Sequence, residues 1–147
     1  MSYEPMELCR QLGVRVVHAE LRRTWGAWLP QHQIIVLTSG LTPVQERCTL
    51  AHEVEHALAG HTHGCGIGPY AELPQTRAAF TGATLCQEVA ADQSAARKLV
   101  PLLALFRARQ RDDLTASALG VTERVLTTRL NDLKGELWLL GRSKIAG

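Results

Sequence analysis

His52, Glu53 and His56 stand in the order H-E-x-x-H, and their spacing offers the sequence's clearest chemistry. A helical turn takes about 3.6 residues, so histidines four apart sit one above the other and both imidazoles reach a single ion. Zinc suits such a pair. It takes neutral imidazole nitrogens at about 2.0–2.1 Å, and a catalytic zinc keeps three protein ligands and one position for water. A carboxylate one residue after the first histidine lies beside that water and can take its proton. The stretch His52-Glu53-Val54-Glu55-His56 also satisfies the inverted pattern H-x-x-E-H, so spacing alone leaves Glu53 and Glu55 both open as the base. H-E-x-x-H also arises by chance, and the structural alternative is a surface helix with solvated histidines.

These residues need a helix, and Thr42 to Gly60 carries its signals. Thr42 and Gln45 form a T-x-x-Q capping box, Pro43 falls at the first helical position, and Gly60 suits the left-handed residue that ends a helix. Leu50, Val54, Ala57 and Leu58 make an apolar stripe roughly opposite the histidines. The expectation is a helix that packs on one side and presents ligands on the other.

A third ligand must come from elsewhere. Thr84 and Gln87 mark a second capping box, opening a helix that runs to Leu99 or Val100 before Pro101. Glu88 and Asp92 share one of its faces with the small residues Ala91 and Ala95. A glutamate on zinc, with an aspartate holding the outer nitrogen of a ligating histidine, is a common division of labour. Glu88 then reads as ligand and Asp92 as its support, an E-x-x-x-D arrangement of the gluzincin kind; taken alone, the pair would be two solvated carboxylates. His61 and His63 follow the first helix, but the metzincin pattern needs glycine at Ala59 and histidine at Thr62, and both positions fail. They read as exposed loop histidines. Cys65 to Gly82 reads as a long loop, and its Tyr70, like His61 or His63, is a candidate to stabilise an oxyanion.

The supporting chain is one domain long, at 147 residues, and its formal net charge of +2 gives little general pull towards nucleic acid. No apolar run approaches the roughly 18 residues of a membrane span, and no basic segment leads into an apolar leader, so the expectation is a cytoplasmic protein. Cys9, Cys48, Cys65 and Cys86 show no C-x-x-C pair and read as buried reduced thiols. Towards the N-terminus, Pro5 to Leu12 reads as a helix ending at Gly13. Val14 to Ala19, Thr24 to Leu29 and Ile34 to Thr38 read as strands, the last two parted by Pro30 and a polar turn. They suggest a small, mainly antiparallel sheet. A strand at its edge beside the cleft could hold an extended peptide by strand addition. Trp25 and Trp28 read as core or sheet-face residues, and His18 and His32 as solvated or structural.

The C-terminal third predicts a helix over Leu102 to Arg111, a short helix, a turn at Gly120, and a helix from Glu123 to Lys134 ending at Gly135. Glu136 to Leu140 reads as an added strand. The spacing is like a helix-turn-helix. Glu123 and Asp132 offset Arg124, Arg129 and Lys134, which makes a weak phosphate-binding face, so DNA binding is not expected.

TLAHEVEHALAGH followed by QEVAADQSAARKLVP resembles the ImmA/IrrE metallopeptidase family, in which an H-E-x-x-H helix pairs with a later E-x-x-A-N segment and a leucine-rich L-x-P ending. The layout agrees from about Leu12 to Pro101, and the specific motifs lie in the two helices. The resemblance implies metal ligands at His52, His56 and Glu88, one zinc ion per chain, Glu53 as catalytic base and Asp92 behind the ligands. With Glu88 as third ligand to the direct motif, Glu55 becomes the bystander. Asp92 stands where asparagine is common, Ser94 where phenylalanine is, and Glu55 where glycine is; Lys98 to Pro101 loosely follows an L-L-M-P ending. The resemblance also implies an intracellular regulatory endopeptidase, often phage- or mobile-element-linked, that cleaves a helix-turn-helix repressor. The rival is a regulator that binds DNA or a repressor without cutting, its zinc site structural or vestigial. The expected architecture is α+β in a single domain over residues 1–147. In it a small sheet and zinc-binding helix pair (1–101) carry a helix-turn-helix-like segment (102–147) packed on the core.

Overall fold

The computed structural model describes residues 2–61 and 82–143, with residues 82–84 and 136–143 described by their backbone alone. Among the described residues the chain is α+β, with six helices and one three-stranded sheet. In chain order these are α1 (Pro5–Leu12), β1 (Arg15–Ala19), β2 (Gly26–Leu29), β3 (Ile34–Thr38), α2 (Pro43–Ala59), α3 (Gly82–Leu99), α4 (Leu102–Gln110), α5 (Ala116–Leu119) and α6 (Glu123–Ser143). No described helix is long and apolar enough to cross a membrane.

The sheet is mixed, which corrects the mainly antiparallel expectation. Its order is β1-β3-β2, with β1 parallel and β2 antiparallel to β3. Short connections between successive strands favour hairpins, and only β2–β3 is one, turned at Pro30–Gln33. β3 takes the centre because Ile35 and Leu37 have no exposed surface, whereas β1 is largely exposed. β2 is left at an edge.

Helix α2 lies between two cores. Leu50 and Val54 join Cys9, Val14, Trp28, Ile35 and Leu37 beneath the sheet. Cys48 and Ala51 face the other way, towards Ala95, Ala96, Leu99 and Val100 of α3 and its end, and Val121, Val125 and Leu126 beyond. Every residue from Cys48 to His56 is therefore buried, not one stripe only, and Leu58 of the expected stripe is instead 45% exposed. A helix covered on all sides is ordinarily apolar all round. Here the buried positions include His52, Glu53, Glu55 and His56.

Both ends of α2 form as expected. Thr42 Oγ1 accepts from the Gln45 amide while Gln45 Oε1 accepts from the Thr42 amide, and Gly60 closes the helix at φ 68°. Helix α3 begins at Gly82, two residues before Thr84, so Thr84 lies inside the helix rather than capping it. Helix α6 corrects the sequence reading further. It passes through Gly135, and Glu136 to Leu140 are helical rather than a strand. One internal glycine weakens a helix by only about 1 kcal/mol, and the following residues are leucine-rich with no β-branched side chain to favour a strand. Cys9 and Cys48 are buried free thiols, but Cys86 is exposed on α3; Cys65 lies outside the described residues.

Candidate metal centre

The two central helices bring three ligand atoms to one point. His52 Nε2 lies 3.0 Å from His56 Nε2 and 3.2 Å from Glu88 Oε2, and His56 Nε2 lies 3.1 Å from Glu88 Oε1. A tetrahedral ion with ligands at about 2.0–2.1 Å has ligand edges of about 3.3–3.4 Å, so the triangle is nearly the size zinc requires. The donor set suits the same ion, with two imidazoles and one carboxylate, all within 4.8 Å of one another. Ala91 and Ala95, both 2% exposed, make the close approach possible, since each puts only a methyl group between α2 and α3.

The surrounding charges favour a cation. Burial pushes the Glu88 carboxyl up, but hydrogen bonds with His52 and His56 outweigh it and hold the group well below the usual carboxylate range. Burial likewise works against a charged His52 ring, yet Asp92 and then Glu88 raise it overall. On the outer side, Asp92 Oδ1 stands 2.8 Å from His52 Nδ1, and Asp92 Oδ2 accepts from Arg124 Nη2 at 2.8 Å. Asp92 thus pairs with the His52 ring and is itself held from α6. Arg124 was read as a possible phosphate contact; nothing in the local pattern shows that an arginine so distant in sequence closes the back of the site.

Glu53 and Glu55 part company. Glu55 turns to α3, where Ser94 Oγ and Lys98 Nζ donate to it at 2.5 and 2.6 Å. Glu53 is fully buried, and neither carboxylate oxygen has a hydrogen-bond partner among the described residues. Burial raises its pKa; the charges of His52 and His56 pull the other way, and the Trp28 main chain contributes least. An unpartnered buried carboxylate beside two histidines is a group left open for water and a proton.

Two neighbours take parts that the sequence reading did not give them. A Cβ at Gly26 of β2 would stand 2.7 Å from Thr49 Cγ2 and 3.0 Å from Glu53 Cγ, so only glycine lets the strand lie this close to the base. A glycine inside a β-prone run was the available signal. His61 is not an exposed loop residue: its Nδ1 lies 2.8 Å from His56 Nδ1 and burial lowers its pKa. His63, Tyr70 and the loop they belong to lie outside the described residues. His18 and His32 are exposed and away from the centre, with His18 paired to Glu46 at 3.3 Å. Trp28 is core, as expected.

Paired histidines on one helix, a carboxylate from the next and a fully buried glutamate beside them define a metallopeptidase-type centre. Comparison with known families gives the same class: residues 9–131 match the IrrE N-terminal-like domain, Peptidase_M78, and the chain belongs to that metallopeptidase family. A stretch of 46 residues, 31% of this chain, is 37% identical to the radiation response metalloprotease IrrE of Deinococcus deserti and spans 16% of that protein's length.

Proposed function

We propose that this chain is a zinc-dependent endopeptidase acting inside the cell on a regulatory protein, foremost a helix-turn-helix transcriptional repressor, so that cleavage relieves repression. The observation that carries the peptidase reading is the His52–His56–Glu88 triangle with the fully buried Glu53 carboxylate beside it. The repressor as substrate rests on the resemblance of the two helix motifs to the ImmA/IrrE family, often phage- or mobile-element-linked.

His52, His56 and Glu88 would hold the ion, and Asp92 would keep His52 turned towards it. A bound zinc supplies Lewis acidity, polarising a carbonyl and bringing the pKa of its water towards about 7. Glu53 takes a proton from the attacking water and returns it to the leaving amine nitrogen, a role that its burial-raised basicity suits. Strand β2 suits an extended peptide. Among the described residues only β3 pairs with it. The Thr38 amide bonds to the Trp25 carbonyl, so the alternation of an antiparallel ladder turns Gly26 and Trp28 outward, on the open edge beside Glu53. Thr24 Oγ1 occupies the Gly26 carbonyl and the Trp28 amide is directed at Glu53, leaving the Gly26 amide and the Trp28 carbonyl for a substrate backbone.

Among the described side chains of α6, two of the three basic groups are already engaged, which weighs against the non-cleaving, DNA-binding alternative. Arg124 is held by Asp92, and Arg129 is 3% exposed, donating to the Val100 carbonyl and to Asp132. These engagements favour a C-terminal segment that packs on the catalytic part as one domain.

The test joins metal content to cleavage. Near-stoichiometric tight zinc is expected in the wild type, weakened in His52→Ala and Glu88→Gln. In cells producing the wild type, sequencing of new protein N-termini should reveal cuts in a helix-turn-helix protein that are absent with Glu53→Gln and retained with Glu55→Gln. Cleavage that survives Glu53→Gln sinks the mechanism; cuts confined to other protein classes sink the repressor assignment.

A further inference from the structure

We propose that His61 is the positioning residue for His56, doing for that ligand what Asp92 does for His52. The proposal rests on the metal reading of the site. A ligating imidazole needs a partner for its outer nitrogen, because that hydrogen bond sets both the tautomer and the orientation of the ring. For His52 the partner is Asp92, 2.8 Å from Nδ1. His56 directs Nε2 inward, 3.0 Å from His52 Nε2 and 3.1 Å from Glu88 Oε1, and its Nδ1 meets His61 Nδ1 at 2.8 Å. A neutral ring that offers a lone pair at Nε2 carries its proton on Nδ1. His56 is therefore the donor and His61 Nδ1 the acceptor, with the proton of His61 on its own Nε2. The rings meet at 61°, centroids 5.1 Å apart, an edgewise approach rather than a stack.

Elements already committed to the site hold His61 in place. Gly60, at φ 68°, turns the chain back over the end of α2, and the His61 amide donates to the His56 carbonyl at 3.0 Å. On the other side, the Trp28 indole N–H donates to the His61 carbonyl at 3.2 Å. Trp28 is 5% exposed and anchored in the core under the sheet. His61 is thus tied to the ligand helix and to edge strand β2 at once. Its Nδ1 is spent on the outer side of His56, which favours positioning over oxyanion stabilisation.

The experiment is a competitive zinc titration of metal-free protein against a chromogenic chelator, for the wild type, His61→Ala, His61→Asn and Trp28→Phe. The visible absorption of the cobalt-substituted forms and the metal-free melting curves are recorded beside it. Losing the acceptor should weaken zinc by about 10–100-fold in His61→Ala, whereas His61→Asn, whose Oδ1 still accepts, should stay within about threefold of wild type. The His61→Ala cobalt bands should shift and those of His61→Asn should not. Trp28→Phe removes the indole donor while keeping an aromatic ring, and should weaken zinc by a smaller factor even where His61→Ala does not fold. Zinc as tight in His61→Ala as in wild type, or as weak in His61→Asn as in His61→Ala, overturns the proposal. Wild-type zinc binding indifferent to His52→Ala and Glu88→Gln instead brings down the metal reading, and this proposal with it.

Discussion

Glu53 brings a carboxylate to a fully buried place where the Trp28 main chain offers only a weak interaction, which makes its cost and its use the same fact. Its pKa is raised by burial, so the folded chain keeps this proton at a pH where the unfolded chain has lost it. Stability from this group is therefore greatest below the unfolded value of 4.5 and falls as pH rises through the folded value. Metal-free Glu53→Gln should melt above metal-free wild type at pH 7, and the gap should close near pH 4. A gap of the same size at both pH values would mean that the charge is not responsible. The same substitution should reduce peptide cleavage by about 10²–10⁴-fold, the usual loss of a general base. Gly26 shows the steric side of this arrangement. Gly26→Ala should destabilise by about 1–3 kcal/mol, the range for overpacking, since its methyl would meet Thr49 at 2.7 Å. A denaturant midpoint unchanged from wild type would show that β2 can move off α2 freely.

At the scale of elements, an ionic cluster that is buried at Arg129 and open to solvent at Arg97 joins α3 to α6 beside their apolar contact. Arg129, 4% exposed at its side chain, donates to the Val100 carbonyl and to Asp132, which also takes Arg97 through two nitrogens at 2.7 and 2.6 Å. Asp132→Ala should cost about 1.5–3 kcal/mol in chemical denaturation, because Arg129 keeps the Val100 carbonyl but loses its carboxylate. Hydrogen bonds from Arg97, then the charges of Arg97 and Arg129, lower the Asp132 pKa against burial. The stabilisation is thus complete above the unfolded value of 3.8 and disappears as pH falls through the folded value, so the two proteins should converge in acid. A constant difference down to pH 2 would assign the loss to packing instead. None of this joint was legible in the sequence, where Arg129 and Asp132 read as offsetting surface charges, because burial of an arginine is decided by which helix lies across it. Local chemistry was far more legible. The α2 cap, Gly60, and the Glu88–Asp92 face depend on spacings within a turn or two, and helical geometry carries those spacings directly into space. Strand order and His61 depended on long-range packing: β3 wins the centre through Ile35 and Leu37, and Trp28 reaches across from the sheet to hold residue 61.

Across the whole molecule, α2 belongs to both cores, while the described apolar side chains of α3 before Ala91 lie in neither. Leu85 and Val89 are 40% and 47% exposed and Cys86 is exposed, and Ala91 is the first deeply buried apolar side chain described on that helix. Among the described side chains of this half, Glu88 reaches α2, facing His52 and His56. A metal there is a staple between layers, and its binding energy becomes local folding energy in a stretch where Leu85 and Val89 are exposed. Zinc at 100 times its dissociation constant adds about 2.7 kcal/mol to the folded state. Chelation should therefore lower the melting temperature in a manner reversed by added zinc. Amide exchange should rise in α3 from Gly82 to Asp92 and around His56–His61, while Ile34–Thr38 of the central strand keeps its protection. Glu88→Gln should show the same pattern without chelator. Exchange that rises equally in β3 would mean that the metal holds the whole fold rather than one helix, and the edge of the site would then be no more yielding than its core.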